Sequence, residues 1–370
     1  MSKSNVYFAN MRASSHHEGL LKKIGNLCES LQLESLIEPG EIVAIKLHFG
    51  ERGNTSFIRP IFVREVVDKV KGVQGKPFLT DTNTLYVGSR ANAVDHLNTA
   101  IANGFAYAVV NAPLIIADGL HGKSFIEVEI NKRHFKKVKL GSDLYHADSI
   151  ICLSHVKGHM IGGFGGALKN MAMGGASRAG KQQQHSTLLP EIGTRCVGCK
   201  ICSEWCPAEA ISFDETGKAV INAEKCIGCG ECTVSCPHRA INIQWKEATS
   251  NVQERMAEYV YGLLKHKQNK VAFINFVMDV SPDCDCNSWS DEAIVGDVGI
   301  LASHDPVALD QASVDLINAQ AGRTGTALKN NFAPGEDKFR GVHPNIDWSI
   351  QLRYAEELGI GNRQYNLIEI

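Results

Sequence analysis

The chain has 370 residues, a formal net charge of -2 and 44% hydrophobic residues, which is typical of a globular protein with a sizeable core. This near-neutral charge predicts neither a nucleic-acid partner nor an anionic membrane surface. No stretch approaches the roughly 18 apolar residues of a membrane span, and residues 1–19 lack the apolar core of a signal peptide. Because twelve cysteines in such a chain imply reduced thiols, we expect a cytoplasmic protein with no membrane partner.

The first part of the chain alternates predicted strands and helices. Strands are predicted at 41–47 and 76–80, with helices at 61–70 and 92–103, and a third apolar run at 149–154 indicates a buried strand. Such alternation favours a mainly parallel sheet with helices on both faces. We therefore predict an α/β fold for this part of the chain.

Three polar residues lie at the end of the first predicted strand: Lys46, His48 and Glu51. Because ligand sites of α/β sheets are built at the carboxyl ends of strands, Lys46 and His48 are candidate catalytic groups. His48 could act as a base or as a metal ligand. An ordinary ion pair at a strand end is an equally good interpretation.

A glycine-rich loop follows the strand at 149–154 and contains Gly163, Gly165 and Gly166. Backbone N–H groups of such a loop can approach an anion closely, so residues 158–169 form a candidate site for an anionic or nucleotide-like cofactor. The loop matches neither the Walker A pattern nor the Rossmann fingerprint. The alternative is that these glycines only permit a tight crossover.

His159, the glycines, Lys169 and the later His185-Ser186 pair occur in an order that resembles the central motif of the nickel-pincer lactate racemases. In that family the lysine carries a covalently attached pyridinium mononucleotide, the later histidine ligates nickel and the earlier histidine transfers protons. The resemblance implies these roles for Lys169, His185 and His159. Gly165 replaces a serine of the family motif, and residues 80–83 stand where the family has another acid/base histidine.

Eight of the twelve cysteines form two copies of the pattern Cys-x-x-Cys-x-x-Cys-x-x-x-Cys-Pro. The first copy is Cys196, Cys199, Cys202 and Cys206, and the second is Cys226, Cys229, Cys232 and Cys236. Zinc ribbons pair two plus two cysteines and do not use a third at the same spacing. A disulfide framework requires export, which nothing in the sequence indicates. The pattern therefore predicts iron–sulfur clusters.

The two copies resemble the ligand runs of bacterial two-cluster ferredoxins, in which the fourth cysteine of each run binds the other cluster. The resemblance implies two 4Fe–4S clusters with crossed ligand sets. One set would be Cys196, Cys199, Cys202 and Cys236, and the other Cys226, Cys229, Cys232 and Cys206. It also implies a small α+β ferredoxin domain at 190–245 and a redox partner protein.

The strand and helix pattern resumes after this segment. The predicted elements are helix 252–265, strands 270–276 and 298–302, helices 305–320 and 347–358, and a final strand 365–370. Asp305 followed by Pro306 is a typical helix start, since aspartate caps an N-terminus and proline suits the first helical position. We therefore predict one α/β domain formed by 1–189 and 246–370, with the ferredoxin-type domain inserted at 190–245.

Cys284 and Cys286 flank Asp285 shortly after the strand predicted at 270–276. They could be redox thiols or ligands of a third metal, although two thiolates leave a tetrahedral site half filled. Two inert, reduced thiols are an equally good interpretation, because reactivity requires a lowered pKa.

As a whole, the chain resembles a bacterial domain-of-unknown-function family in which a two-cluster ferredoxin is often inserted. The resemblance rests on five segments: 46–51, 156–166, 284–286, 297–301 and 305–310. It spans most of the chain but implies no secure activity.

Three functions are consistent with these patterns. The first is an iron–sulfur oxidoreductase, whose clusters relay electrons to a small-molecule substrate or cofactor at the glycine loop 158–169. The second is a ferredoxin-type electron carrier with a docking domain and no catalysis. The third is a racemase-like nickel-pincer enzyme with structural clusters. We favour the first, because the ferredoxin-type segment begins about five residues after His185.

Overall fold

The computed structural model describes residues 3–185, 190–206, 208–226, 230–242, 249–267 and 269–370. Its strands, in chain order, are β1 Ser4–Asn10, β2 Ile42–Lys46, β3 Lys76–Asp81, β4 Leu114–Ile116, β5 Phe125–Glu129, β6 Lys137–Gly141, β7 Ser149–His155, β8 Lys157–His159, β9 Gly163–Gly165, β10 Glu191–Ile192, β11 Ile211–Phe213, β12 Ala219–Ile221, β13 Ile241–Asn242, β14 Val271–Val277, β15 Gly299–Ser303 and β16 Tyr365–Glu369.

The helices, in chain order, are α1 Leu20–Ser30, α2 Leu33–Leu36, α3 Pro60–Gly72, α4 Ala93–Ala102, α5 Tyr107–Val110, α6 Ser142–His146, α7 Ala167–Gly175, α8 Arg178–His185, α9 Ile201–Glu204, α10 Glu231–Ser235, α11 Thr249–Leu264, α12 Pro306–Asn318, α13 Lys338–Val342 and α14 Ser349–Glu357. None of the helices in the described ranges is long and apolar enough to cross a membrane.

Eight strands form one sheet in the order β16-β1-β15-β14-β7-β2-β3-β4. The neighbours β16–β1, β14–β7, β7–β2, β2–β3 and β3–β4 are parallel. Strand β15 is antiparallel to both of its neighbours. The prediction of an α/β fold with a mainly parallel sheet is therefore confirmed.

Helices cover both faces of this sheet. Strands β7 and β14 are buried along their whole length, as expected for parallel strands covered on both sides. Alternate residues of β7 face opposite cores: Cys152 packs in the cluster that contains α7, α11 and α12, whereas Ile151 and Leu153 pack in the cluster that contains α1 and α3. The sheet thus separates two hydrophobic cores.

Helix α12 begins as the sequence predicts. The side chain of Asp305 accepts hydrogen bonds from the N–H groups of Val307 and Ala308 at 2.8 and 3.0 Å, and Pro306 is the first helical residue. Side-chain capping satisfies N–H groups that lack a partner within the helix. The helix therefore starts at a position fixed by local sequence.

The segment between α8 and α11 contains two short strand pairs, β10–β13 and β11–β12, with helices α9 and α10. Glu191 pairs with Asn242, so the two ends of the segment lie together. On either side of it, β7 and β14 are direct neighbours in the large sheet. The sheet therefore continues across the segment, and the boundaries at 189 and 246, which fall outside the described residues, stay a prediction.

Candidate functional site

A cavity of about 680 Å³ lies at the carboxyl ends of β2, β3 and β7. Polar and charged side chains from these strand ends form much of its wall, which is the expected location of a site in an α/β sheet. The titratable side chains in the wall are His48, Asp81, Tyr86, Arg90, Lys157, His159, Lys169, Lys181, His185, Asp283, Cys284 and Cys286. Many titratable groups therefore line one cavity.

The structure brings most of the candidate residues of the α/β part to this cavity. His48, His159, Lys169 and His185 line it, as do Gly165 and Gly166. Within the described residues, Lys46 and Gly163 lie outside the wall. The Trp348 side chain packs directly against Gly163, since a Cβ on Gly163 would come within 2.6 Å of it.

Lys46 is fully buried behind the cavity wall. Its Nζ lies 3.1 Å from Asp81 Oδ1 and donates a hydrogen bond of 2.6 Å to Asn170 Oδ1. Burial alone would raise the pKa of Asp81, but Lys46 and the other cations around it hold that pKa well below its usual range. Lys46 therefore positions two residues of the wall, Asp81 and Asn170, and does not itself face the cavity.

His48 and His159 share one hydrogen-bonding arrangement. His48 Nδ1 accepts the N–H of Gly50 at 3.0 Å, and His159 Nδ1 accepts the N–H of Gly162 at 3.0 Å. Burial, with nearby cations, holds the pKa of each histidine well below its usual value. Both rings are therefore neutral with the proton on Nε2, which makes each a hydrogen-bond donor at that atom.

His185 is neutral for a similar reason. Burial, and then the charges of Lys169 and Lys181, lower the pKa of His185 to about 3. A neutral imidazole can ligate a metal, so the nickel role that the racemase resemblance implies for His185 stays a prediction.

Cys284 and Cys286 form a close pair of thiols in the cavity wall, with their Sγ atoms 2.7 Å apart. Lys169 Nζ lies 3.5 Å from Cys284 Sγ, and His48 Nε2 lies 3.7 Å from Cys286 Sγ. The hydrogen bond from Cys286, with Lys169 and Lys157, holds the pKa of Cys284 well below its usual value. That same bond and burial raise the pKa of Cys286. Cys284 is therefore the thiolate of the pair.

Asp285, between the two cysteines, is fully buried and anchors their loop. Its carboxylate lies 2.9 Å from His155 Nδ1 and 3.2 Å from Lys157 Nζ. The other nitrogen of His155 faces the carbonyl oxygens of Met278 and Asp279 at 2.9 and 3.1 Å. Both ring nitrogens of His155 therefore have partners, which fixes the orientation of the ring.

The glycine loop contains a β-hairpin, β8–β9, that leads directly into α7. Asp310 accepts hydrogen bonds from the N–H groups of Ala167 and Leu168, the first residues of α7, at 2.7 and 2.9 Å. A Cβ on Gly166 would collide with this carboxylate. Gly166 thus permits the close approach of Asp310, which already binds N–H groups that an anion would otherwise use.

Four of the eight motif cysteines line one small cavity in the segment 190–242: Cys196, Cys199, Cys202 and Cys236. Backbone N–H groups point at two of their sulfurs, since Ala219 donates to Cys196 Sγ at 3.4 Å and Ala240 donates to Cys236 Sγ at 3.3 Å.

Of the other four, Cys206 accepts the N–H of Ala210 at 3.3 Å, Cys232 is buried and Cys226 is half-buried. Cys229 lies outside the described residues. In the parts of the chain that the structure describes, no group of three or more His, Cys, Asp or Glu side chains is arranged to hold a metal ion.

Two described residues of the second cysteine run, Gly230 and Thr233, contact Leu85 in the wall of the 680 Å³ cavity. Leu85 lines that cavity, and its carbonyl oxygen accepts a hydrogen bond of 3.4 Å from Thr233, the residue after Cys232. A Cβ on Gly230 would contact the Leu85 side chain at 2.5 Å. Leu85 is therefore shared between the cavity and the second cysteine run.

Sequence reasoning did not single out several charged residues of the site, namely Asp81, Arg90, Lys157 and Lys181. Asp81 is the last residue of β3 and Lys157 follows β7, so the strand-end position was a usable signal. Arg90 and Lys181 reach the cavity from a loop and from α8, where the local pattern gives no such signal.

Comparison with known proteins gives one family and a set of structural neighbours. A family model described as "Domain of unknown function (DUF362)" matches residues 43–315. No curated protein matches.

Two solved structures are similar over part of their length. The lactate racemase apoprotein from Thermoanaerobacterium thermosaccharolyticum has 13% sequence identity and a TM-score of 0.39, covering 75% of this chain and 51% of that chain. A protein from Thermotoga maritima has 9% identity and a TM-score of 0.36, covering 70% of this chain and 50% of that chain. The chain thus spans about half the length of these structures.

Proposed function

From the premise that this chain belongs to the DUF362 family, we propose that it is an iron–sulfur oxidoreductase. Two 4Fe–4S clusters in the segment 190–242 would exchange electrons with a small anionic molecule in the 680 Å³ cavity. A redox partner protein would exchange electrons with the clusters from outside.

The arrangement of Cys196, Cys199, Cys202 and Cys236 supports the first cluster. Three cysteines of one run and the fourth of the other surround one cavity, which is the crossed ligand set of two-cluster ferredoxins. A cubane binds each thiolate at a different iron, so its ligands stand further apart than those of a single ion. N–H groups directed at the sulfurs are a feature that tunes cluster potentials.

The contact at Leu85 is the observation that carries the proposal. Leu85 lines the cavity and receives the hydrogen bond of Thr233, next to the proposed ligand Cys232. The second cluster would therefore be held by a cysteine run that contacts a residue of the cavity wall. An electron carrier with a separate docking domain would not require this contact, so the oxidoreductase is the better-supported function.

Charge in the cavity wall supports an anionic substrate. Four cationic side chains line it, Arg90, Lys157, Lys169 and Lys181, against the carboxylates of Asp81 and Asp283 and the thiolate of Cys284. Like the N–H groups of His48 and His159, these cations would bind and orient the oxygens of an anion. Leu85 and Met173 add apolar surface to the same wall.

Metal and sulfide analysis of the full chain, purified without oxygen, tests the proposal. We expect about eight iron atoms and about eight acid-labile sulfides per chain, with an absorbance that bleaches on reduction. Stoichiometric zinc, or iron near zero, would exclude the oxidoreductase.

A racemase-like function is the alternative, because His159, Lys169 and His185 line the same cavity. The mass of the intact chain distinguishes it from the oxidoreductase. An added mass on Lys169 together with nickel would favour it over the oxidoreductase.

The cationic wall gives a prediction about anion binding. Burial lowers the pKa of Lys181 to about 8, so the Lys181 ammonium is charged below that pH and is lost above it. We expect Lys181→Met to weaken sulfate binding by roughly tenfold at pH 7, since a hydrogen bond to a charged group contributes about 1.5–3 kcal/mol. Calorimetric titration of sulfate measures the affinity.

The pH dependence provides a second readout, because sulfate keeps its charge across this range. Sulfate binding to the original chain should weaken as the pH rises through about 8, and the variant should lose that dependence. Lys76→Met is the matched control, because Lys76 is exposed at the opposite end of β3 from Asp81. Equal sulfate affinity of all three proteins would contradict the prediction.

A further inference from the structure

We propose that Cys284 and Cys286 are a redox-active dithiol that exchanges an electron pair with the two clusters, an inference that rests on the proposed function. Nothing in the family description assigns this site. It would place a two-electron carrier in the wall of the substrate cavity.

The loop holds the two thiols together. Their Sγ atoms are 2.7 Å apart, and the N–H of Cys286 points at Cys284 Sγ at 3.4 Å. His155 and Lys157 hold the side chain of Asp285, which lies between the two cysteines. The backbone carbonyl oxygen of Asp285 accepts the N–H of Glu51 at 2.9 Å. Little movement is needed to join the two sulfurs, because both already project to the same side of an anchored residue.

The surroundings favour thiol chemistry at Cys284. Lys169 Nζ lies 3.5 Å from this sulfur and stabilises its thiolate, which is the reactive form of cysteine. The Nε2–H of His48 faces Cys286 at 3.7 Å and can stabilise negative charge on the second sulfur. Each sulfur of the pair therefore has its own nearby donor.

A metal site is the less suitable interpretation of the pair. Two thiolates leave a tetrahedral site half filled. The cationic Nζ of Lys169 also lies next to Cys284 Sγ and would repel a metal ion bound there. A redox dithiol accounts for both the closeness of the two sulfurs and the lysine beside Cys284.

The electron balance of the step is simple. The Cys284 thiolate and the Cys286 thiol lose two electrons and one proton, and an S–S bond forms between their sulfurs. The proton would leave to the solvent, and the two clusters held by the motif cysteines would supply two one-electron acceptors. The reverse reduction breaks the S–S bond and restores the Cys284 thiolate and the Cys286 thiol. Two one-electron clusters thus match one two-electron thiol pair.

Mass spectrometry of the full chain tests the dithiol directly. The protein, purified without oxygen, is equilibrated with its clusters reduced or oxidised, and its free thiols are then trapped with iodoacetamide. Both cysteines lie in one tryptic peptide, residues 271–323, which has no other cysteine. We expect this peptide to carry two labels when the clusters are reduced. With oxidised clusters it should carry none and be lighter by two hydrogen atoms.

Cys28 and Cys152 are internal controls, because burial raises their pKa values to about 12 and about 11. They should stay unlabelled in the folded protein under both conditions. Two labels on the 271–323 peptide at every potential would overturn the dithiol and leave the oxidoreductase intact.

Counting the electrons that each protein takes up distinguishes the dithiol proposal from the proposed function on which it rests. The original chain should take up about two more electrons than a Cys284→Ser/Cys286→Ser variant, because a dithiol/disulfide couple carries two electrons. Equal uptake by both proteins would contradict the dithiol alone. A chain without reducible iron would instead contradict the proposed function.

Discussion

Replacing Asp285 with alanine is expected to lower the free energy of unfolding by roughly 3–5 kcal/mol, the cost of removing one partner from a buried ion pair. Asp285 is fully buried, and its loss leaves the Lys157 ammonium without a counterion and His155 Nδ1 without its partner. The loop of Cys284 and Cys286 would lose its anchor at the same time. Chemical denaturation at pH 7 measures the change.

Asp283→Ala is the matched control, because the Asp283 side chain is 27% exposed and lies 3.8 Å from His343. We expect this variant to lose less than about 1 kcal/mol, as is usual for a partly exposed ion pair. Equal losses for the two variants would show that the buried cluster around Asp285 does not support the loop.

Asp285 also predicts that the stability of the fold depends on pH in the acid range. Burial would raise the pKa of Asp285, but His155 and Lys157 outweigh burial and hold that pKa well below 3.8. Its charge therefore stabilises the fold above about pH 4, and this contribution is lost as the pH falls through the folded-state pKa. The stability of the alanine variant should change less between pH 7 and pH 3 than that of the original chain.

Replacing Cys206 with serine is expected to remove one of the two clusters, a loss of about four iron atoms per chain. The crossed ligand pattern assigns Cys206 to the cluster of the second run, although it belongs to the first run in sequence. Iron analysis and the spectrum of the reduced protein measure the loss. Cys286→Ser is the control, because Cys286 lies in the cavity wall and should leave the iron content unchanged.

Double variants determine which cluster is lost. Cys206→Ser combined with Cys226→Ser should lose no more iron than either change alone, because both residues would serve one cluster. Cys206→Ser combined with Cys196→Ser should lose both clusters. The opposite pattern would show that each run binds its own cluster without crossing.

Local sequence was sufficient to predict most of the sheet and its helices. Apolar runs such as β7 and the Asp305-Pro306 helix start depend on neighbours in the chain, so they were predicted close to their observed positions. Strand β1 was not predicted, because only Val6 and Ala9 of it are buried and its partners lie at the far end of the chain. The hairpin β8–β9 was not predicted either, since its glycines resemble a loop.

The candidate site could be predicted only in part. His48, His159, Lys169 and His185 follow strands or belong to a motif, and all four line the cavity. Sequence could not show that Lys169 contacts Cys284, because 115 positions separate them. It also could not show the burial of Lys46, which depends on packing against α7 and not on the residues beside it.

An iron-anomalous difference map from crystals of the full chain, grown without oxygen, tests the central claim most directly. The account predicts two cubane-sized iron peaks in the segment 190–242. One should be enclosed by Cys196, Cys199, Cys202 and Cys236, and the other should lie beside Cys232 on the side of Leu85. Single-atom zinc peaks at these cysteines, or two iron clusters both remote from Leu85, would contradict a cluster that delivers electrons to the cavity.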